Sequence, residues 1–113
     1  MKKILFIGLF LLTFSCVKKP TPPDGIMSQQ EMIDLLIDLH IIEAKISMSR
    51  IPNDSIKLFF DEVEDSLYHK HHVTDSIYKM SYQYYLENID LMEEIYSAVV
   101  DSMSLRERIL DTE

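Results

Sequence analysis

Ser28-Gln29-Gln30-Glu31-Met32-Ile33-Asp34-Leu35-Leu36-Ile37-Asp38-Leu39-His40 is the stretch that decides the fold. Ser28 precedes Glu31 by three residues, the spacing of a capping box in which each side chain satisfies the other's backbone amide. Met27 and Met32 flank that box at the positions of a hydrophobic staple. Laid out at about 100° per residue, the segment puts Asp34, Asp38 and Lys45 on one stripe and Met32, Leu35, Leu36, Leu39 and Ile46 opposite. That pattern predicts an amphipathic helix from Ser28 to about Arg50.

Downstream, the same period recurs three times. Pro52-Asn53-Asp54 interrupts the chain, and a second helix is expected from about Ser55 to Tyr68 or slightly beyond. Its Ile56, Phe59, Phe60, Val63 and Leu67 share a face. Val73-Thr74-Asp75 restarts the chain, with Thr74 as N-cap and Val73 placed to staple against Tyr78, so a third helix should reach about Glu87. Asn88 is placed to cap a fourth, whose Met92, Ile95, Tyr96, Val99 and Met103 lie opposite Asp90, Glu94, Ser97, Asp101 and Arg108. From Ile26 to Glu113 there is no glycine and one proline, Pro52, a composition poor in turn residues and suited to helices. Short connections make sequential helices antiparallel. The expected fold is all-α: a small bundle of about four helices over residues 28–113.

Upstream, Met1-Lys2-Lys3 is followed by an apolar run from Ile4 to Phe14. Its 11 residues fall well short of the ~20 that span a bilayer, and fit the apolar region of a secretory signal. The run ends in Thr13-Phe14-Ser15-Cys16, which resembles a lipoprotein signal-peptidase site, with Thr13 where a leucine three before the cysteine is usual and Leu12 one place further back. Residues 1–15 are therefore expected to be removed. Cys16 would carry diacylglycerol on its sulfur and an acyl chain on its amine, since several chains anchor stably where one does not. The plainer alternative is an ordinary secretory signal with an incidental cysteine. Residues 16–27, with Pro20, Pro22, Pro23 and Gly25, read as a tether, extended over Val17 to Ile26 and reaching roughly 30 Å. Lys18 and Lys19 lie beside the lipid, where each adds about 1 kcal/mol of attraction to anionic headgroups. The residues after Cys16 lack the acidic run of a surface-export signal, so the expected location is the outer membrane, facing the periplasm.

Charge and cysteine count exclude several classes. The chain of 113 residues holds 11 Lys+Arg against 19 Asp+Glu, and without residues 1–15 the balance is 9 against 19. Phosphate binding needs clustered cations, so nucleic acid is not an expected partner. One cysteine excludes a disulfide framework and a Cys-rich zinc site. No glycine-rich phosphate loop and no nucleophile elbow is present. The seven methionines are spread along the chain and read as core filler.

Three groups of residues are candidates for function. His40 and Glu43 are three apart and fall on or beside the first helix's apolar side, with Glu43 near its centre. A carboxylate facing a core needs a partner, so the pair reads as a polar knot with His40 or a tyrosine hydroxyl, or as an acid–base pair in a pocket. In the third helix Tyr78, Tyr82 and Tyr85 share one flank, Ile77, Met80 and Tyr84 the other, and Ser81 lies between. The arrangement fits a half-buried seam or a partner-binding surface, because tyrosines bury large areas at small entropic cost. If the second helix ran on through His69-Lys70-His71-His72, then Asp61, Asp65, His69 and His72 would line one outward face. With no second cluster to close a site, that face reads as solvated, and no metal is expected.

The signal, the proline-rich tether, Asp38-Leu39-His40-Ile41-Ile42-Glu43-Ala44 and Ser81-Tyr82-Gln83-Tyr84-Tyr85-Leu86-Glu87-Asn88 resemble domain-of-unknown-function family 4296 of short Bacteroidetes-type lipoproteins. Where that family often has glycine between its second and third helices, this chain has His71-His72, and Ile89 stands where a proline is common. The resemblance implies no activity, cofactor or substrate. The resulting expectation is a lipid-anchored, non-catalytic module that binds another envelope protein, such as an assembly factor. The alternative is a small ligand-binding protein or enzyme built on His40 and Glu43. Whether a second copy covers part of the first helix is left open by the sequence.

Overall fold

A computed structural model describes residues 21–112. The signal segment, Cys16, Lys18 and Lys19 lie outside the described residues. Four helices follow in order: α1 (Gln29–Met48), α2 (Asn53–Lys70), α3 (Asp75–Glu87) and α4 (Ile89–Asp111). The fold is an all-α bundle of four helices, with no strand among the described residues.

Each boundary has a local cause. At α1 the capping box forms in full: the Glu31 amide donates to Ser28 Oγ at 3.2 Å and the Ser28 amide donates to Glu31 Oε2 at 2.8 Å. Thr74 Oγ1 accepts from the Ile77 amide at 3.2 Å and starts α3. Helix α2 begins two residues before Ser55, at Asn53, because Pro52 already has the fixed φ of a helix entry and its carbonyl accepts from the Ser55 and Ile56 amides. Asn88 does not cap α4 through its side chain. Its Nδ2 instead donates to the Tyr84 carbonyl at 2.7 Å, closing the end of α3.

Helix α2 stops at Lys70 in a Schellman motif. The Val73 amide donates to the Tyr68 carbonyl and the His72 amide to the His69 carbonyl, at 3.0 and 3.2 Å. The motif requires a left-handed residue, and His72 takes it at φ 55°. A side chain with a Cβ is disfavoured there by roughly 1–2 kcal/mol. His72→Gly is therefore expected to stabilise the protein by about 1 kcal/mol and raise its thermal midpoint by roughly 4–8 °C. Thermal unfolding followed by circular dichroism checks this.

The helices are arranged around α1. Gln29 Nε2 donates to Glu94 Oε2 at 3.2 Å near the starts of α1 and α4. Further along, Ser47 lies across a groove from Met103, so these two helices run side by side in the same direction. Helix α2 returns antiparallel, bringing its end to Asp38. Lys70 Nζ and His71 Nε2 donate to Asp38 Oδ2 at 2.8 and 2.9 Å. Asp38 is thus a tie between helices rather than a member of a solvated stripe. Helix α3 packs antiparallel on α4, where the hydroxyls of Tyr82 and Tyr96 meet at 3.1 Å. It continues from Tyr68 toward Met27 in the direction of α2, however, so α2 and α3 are not antiparallel as expected.

Partial burial pushes the Asp38 carboxyl up, but hydrogen bonds and charge from Lys70 and His71 outweigh it and hold the group below the usual carboxylate range. A carboxyl depressed in the folded state contributes stability above its unfolded value and loses it as pH falls through its folded one. Asp38→Asn is expected to cost about 1 kcal/mol at pH 7, the scale of a pair still reached by water. Urea titrations at pH 7 and about pH 3 should show the difference from wild type closing in acid.

The core occupies one end of the bundle. Met32, Leu35, Leu36 and Ile37 from the first half of α1 join Tyr68 from the end of α2, Tyr85 from α3, and Met92, Ile95 and Val99 from the first half of α4. Met27 belongs to this core as well, only 3% exposed, although its sequence context placed it at the end of a spacer. The chain enters through a turn in which the Ile26 amide donates to the Pro23 carbonyl, with Gly25 at φ 82°. Beyond that turn the Met27 amide donates to Ser81 Oγ at 2.8 Å, and its carbonyl accepts from the Tyr85 hydroxyl at 2.7 Å. Residues 23–27 therefore form a strap seated on α3, not free tether.

Candidate functional site

The opposite end of the bundle is open. Helix α3 has 13 residues against 20 in α1 and 23 in α4, and its buried residues serve only the closed end. Past His40 the inner side of α1 loses its cover. Met48, Leu58, Phe59, Val100, Leu105, Ile109 and Leu110 are all exposed there, from 44% for Phe59 to 85% for Met48. Ile42, Ile46 and Val63 pack with Ile51 and Phe59 in a separate apolar hollow between α1 and α2.

Between α1 and α4 lies an open groove of about 600 Å³, lined by His40, Glu43, Ala44 and Ser47 on one side and Tyr96, Val99, Val100 and Met103 on the other. Glu43 is the one carboxylate in its lining. His40 Nδ1 and Glu43 Oε2 are 3.1 Å apart, so the expected contact forms. The expected burial does not: the two side chains are 34% and 47% exposed. Glu43 does sit on the inner line of α1, but the core has ended one turn earlier, so water replaces a buried environment as its solvent. No hydrogen bond from a tyrosine hydroxyl to Glu43 is present among the described residues.

The inner end of the groove is bounded by linked aromatic rings. The His40 ring lies 6.5 Å from that of Tyr96. Tyr96 meets Tyr82 through their hydroxyls, Tyr82 lies 6.0 Å from Tyr78, and Tyr78 lies 5.4 Å from Tyr68. Tyr68 in turn donates to Glu64. Burial first, then the negative potential around Tyr82, Glu64 and Glu43, pushes the Tyr78 hydroxyl up to about 12. Tyr96 rises too, through burial and then the Tyr82 hydrogen bond, with Glu43 adding to the effect. Tyr78 and Tyr96, raised in this way, act as hydrogen-bonding and stacking groups and not as bases near pH 7.

The tyrosine trio divides. Tyr78 and Tyr82 are half-buried and do not line the groove themselves; Tyr82 meets the lining residue Tyr96 through its hydroxyl. Tyr85 is 1% exposed and its hydroxyl is taken by Met27, so it is structural and not part of a binding surface. Ser81, fully buried, does admit a close neighbour; the neighbour is the strap instead of a helix. Tyr96, Val100 and Met103 were not singled out as site residues by sequence. Tyr96 and Met103 looked like ordinary members of the α4 stripe, and only the shortness of α3 uncovers them.

The histidine cluster is broken up by the Schellman turn. His71 turns inward to Asp38, His72 leaves the helix, and His69 stays outside. Asp61, Asp65, His69 and His72 therefore do not share a helical face. Among the described residues no three His, Cys, Asp or Glu side chains are gathered to hold a metal ion. No helix among them is long and apolar enough to cross a membrane.

Fold and groove define a small all-α module with one packed end and one open apolar end edged by tyrosines. The chain belongs to the family described as Domain of unknown function (DUF4296), which matches residues 23–109. The matched segment begins at the strap, in keeping with Met27 being part of the domain. No curated protein and no solved structure matches the chain.

Proposed function

We propose that this protein is a lipid-anchored, periplasm-facing module of the outer membrane that holds another envelope protein without catalysing a reaction, as an accessory to assembly. The observation that carries the reading is the open end: a groove whose lining is mostly apolar, with Val100 exposed in it, and further large apolar side chains exposed on the same ends of α1, α2 and α4. Contiguous apolar surface beyond a few hundred Å² is unusual on a monomer and marks interaction sites. The strap enters at the closed end, where Thr21 and Pro22 lie beside Ser28 and Gln29. An anchor at Cys16 would leave the open end about 30 Å further out, the length of α1. A catalytic reading centred on His40 and Glu43 has less support, because both are wet and the groove is wide rather than enclosing.

The test is cross-linking in native envelopes of the tagged, lipidated chain, followed by mass spectrometry. One stoichiometric envelope protein should be captured with it. Cys16→Ser should move most of the chain from the membrane fraction to the soluble one and remove the lipid mass from its N-terminus. Retention of that variant in the membrane would count against the anchor, and capture of nothing above background would count against the binding role.

A further inference from the structure

We infer that the groove between α1 and α4 takes a helical segment of another envelope protein, gripping apolar residues that flank one lysine or arginine and pairing that cation with Glu43. The inference rests on the protein-binding reading above and supplies the chemistry of the partner.

Three features of the groove lead to it. The first is shape. From His40 to Ser47 the floor runs two helical turns, about 11 Å, long enough for side chains at i, i+3 or i+4, and i+7 of a docked helix. Every wall is itself a helix, with its backbone groups already bonded, so an extended peptide would find no strand edge to join.

The second is charge. Among the lining residues Glu43 is the only carboxylate, and it sits among apolar neighbours such as Val99, Val100 and Met103. Among the described residues it has no lysine or arginine partner; its contact is His40, which is neutral unless protonated. Lys57, Lys70 and Lys79 are held by Asp61, Asp38 and Asp75. The chain as a whole is acidic as well, with 7 Lys+Arg against 18 Asp+Glu from Ile26 onward. Such a net charge draws cationic segments and repels acidic ones, including a second copy of this chain.

The third is the stop at the groove's inner end. The ring of His40 stands beside Glu43, and the ring of Tyr96, which also lines the groove, lies 6.5 Å from the His40 ring. A guanidinium or ammonium brought to Glu43 would meet aromatic faces as well as the carboxylate, and both attract a cation. An acidic or neutral group at the same place would gain neither contact.

The test places a photo-reactive residue at Ser47, in the lipidated full-length chain within native envelopes, with a second site at Asp90 on the closed end as control. Captured peptides are mapped by mass spectrometry. The expected result is a captured segment of helical, amphipathic pattern with Lys or Arg between apolar positions. Glu43→Gln should lower its capture about tenfold, and replacing the captured cation with Gln should do the same. The two changes together should lose little more than either alone. Glu43 is half exposed, so its change should leave the circular dichroism spectrum intact.

A captured segment with no cation, or one indifferent to Glu43→Gln, would overturn this inference and leave the binding role standing. Capture of a second copy of the chain at Ser47, or of a partner from Asp90 alone, would do the same. Failure to capture any protein from either site would overturn both.

Discussion

Tyr85→Ala is expected to lower the free energy of unfolding by about 3–5 kcal/mol, a large part of what a small domain has. Tyr85 is 1% exposed and lies where α3, the strap and the core meet. Its ring packs edge-on against Tyr84, with centroids 5.1 Å apart. Its hydroxyl donates to the Met27 carbonyl, while Ser81 Oγ accepts from the Met27 amide. Two side chains of α3 thus satisfy both backbone groups of one strap residue. Tyr85→Phe keeps the ring and strands the carbonyl, at a cost of about 1–3 kcal/mol. Ser81→Ala strands the amide at a similar cost. Because both act through Met27, the double variant should lose less than the two single losses added together. Urea unfolding of the four chains, read by circular dichroism, checks this. Additive losses would mean the strap is not seated as a unit, and a neutral Tyr85→Phe would mean its carbonyl has another donor.

This strap marks the limit of what the sequence conveys. Four helices and most of their ends were legible because their causes are local. Ser28 with Glu31, Thr74, and Pro52 each act within a turn of the boundary they set. Met27 was legible as one side of a staple with Met32, and both are buried. What local pattern could not say is that its backbone docks on residues more than fifty positions away. Proline and glycine at residues 20–25 suggest a free spacer equally well whether the chain beyond them is tethered or seated.

His72 and Asn88 show a second kind of limit. A pair of histidines after an apolar helix says nothing of a left-handed turn, which here depends on carbonyls at Tyr68 and His69 finding donors. Asn88 is a good N-cap by type, yet it faces two helix ends at once and its side chain serves the earlier one. The same competition is invisible at Thr74, where Val73 and His72 already satisfy the end of α2 and leave the threonine free to cap α3.

The candidate site was half legible. Spacing alone brought His40 to Glu43, and the contact is made. Burial was overstated because a helical wheel projects α1 onto a plane and discards position along its axis. Leu36 and Glu43 both fall on the inner line, but Leu36 lies in the core cluster and is 2% exposed, whereas Glu43 lies two turns further on and is 47% exposed. The periodicity of α1, α2 and α4 continues to their open ends without change. It records which side faces inward and is silent on whether anything lies opposite.

That silence leads to the second large effect. Leu35→Ala is expected to cost about 2–5 kcal/mol, because Leu35 is fully buried in a closed end where neighbours cannot collapse into the space. Leu110→Ser, on the same type of residue, should change stability by about 0.5 kcal/mol or less, because Leu110 is 71% exposed. Val100→Ser, at 59% exposure, should behave like Leu110→Ser. Both open-end changes should also raise solubility by shrinking the exposed apolar area. Their larger consequence belongs to binding: Val100 lines the groove, so its change should weaken partner capture while the urea midpoint stays near that of the wild type. If Val100→Ser and Leu110→Ser instead proved as destabilising as Leu35→Ala, the open end would be closed in solution. The apolar stripe of α4 would then be an internal core, covered by the chain itself or by a second copy.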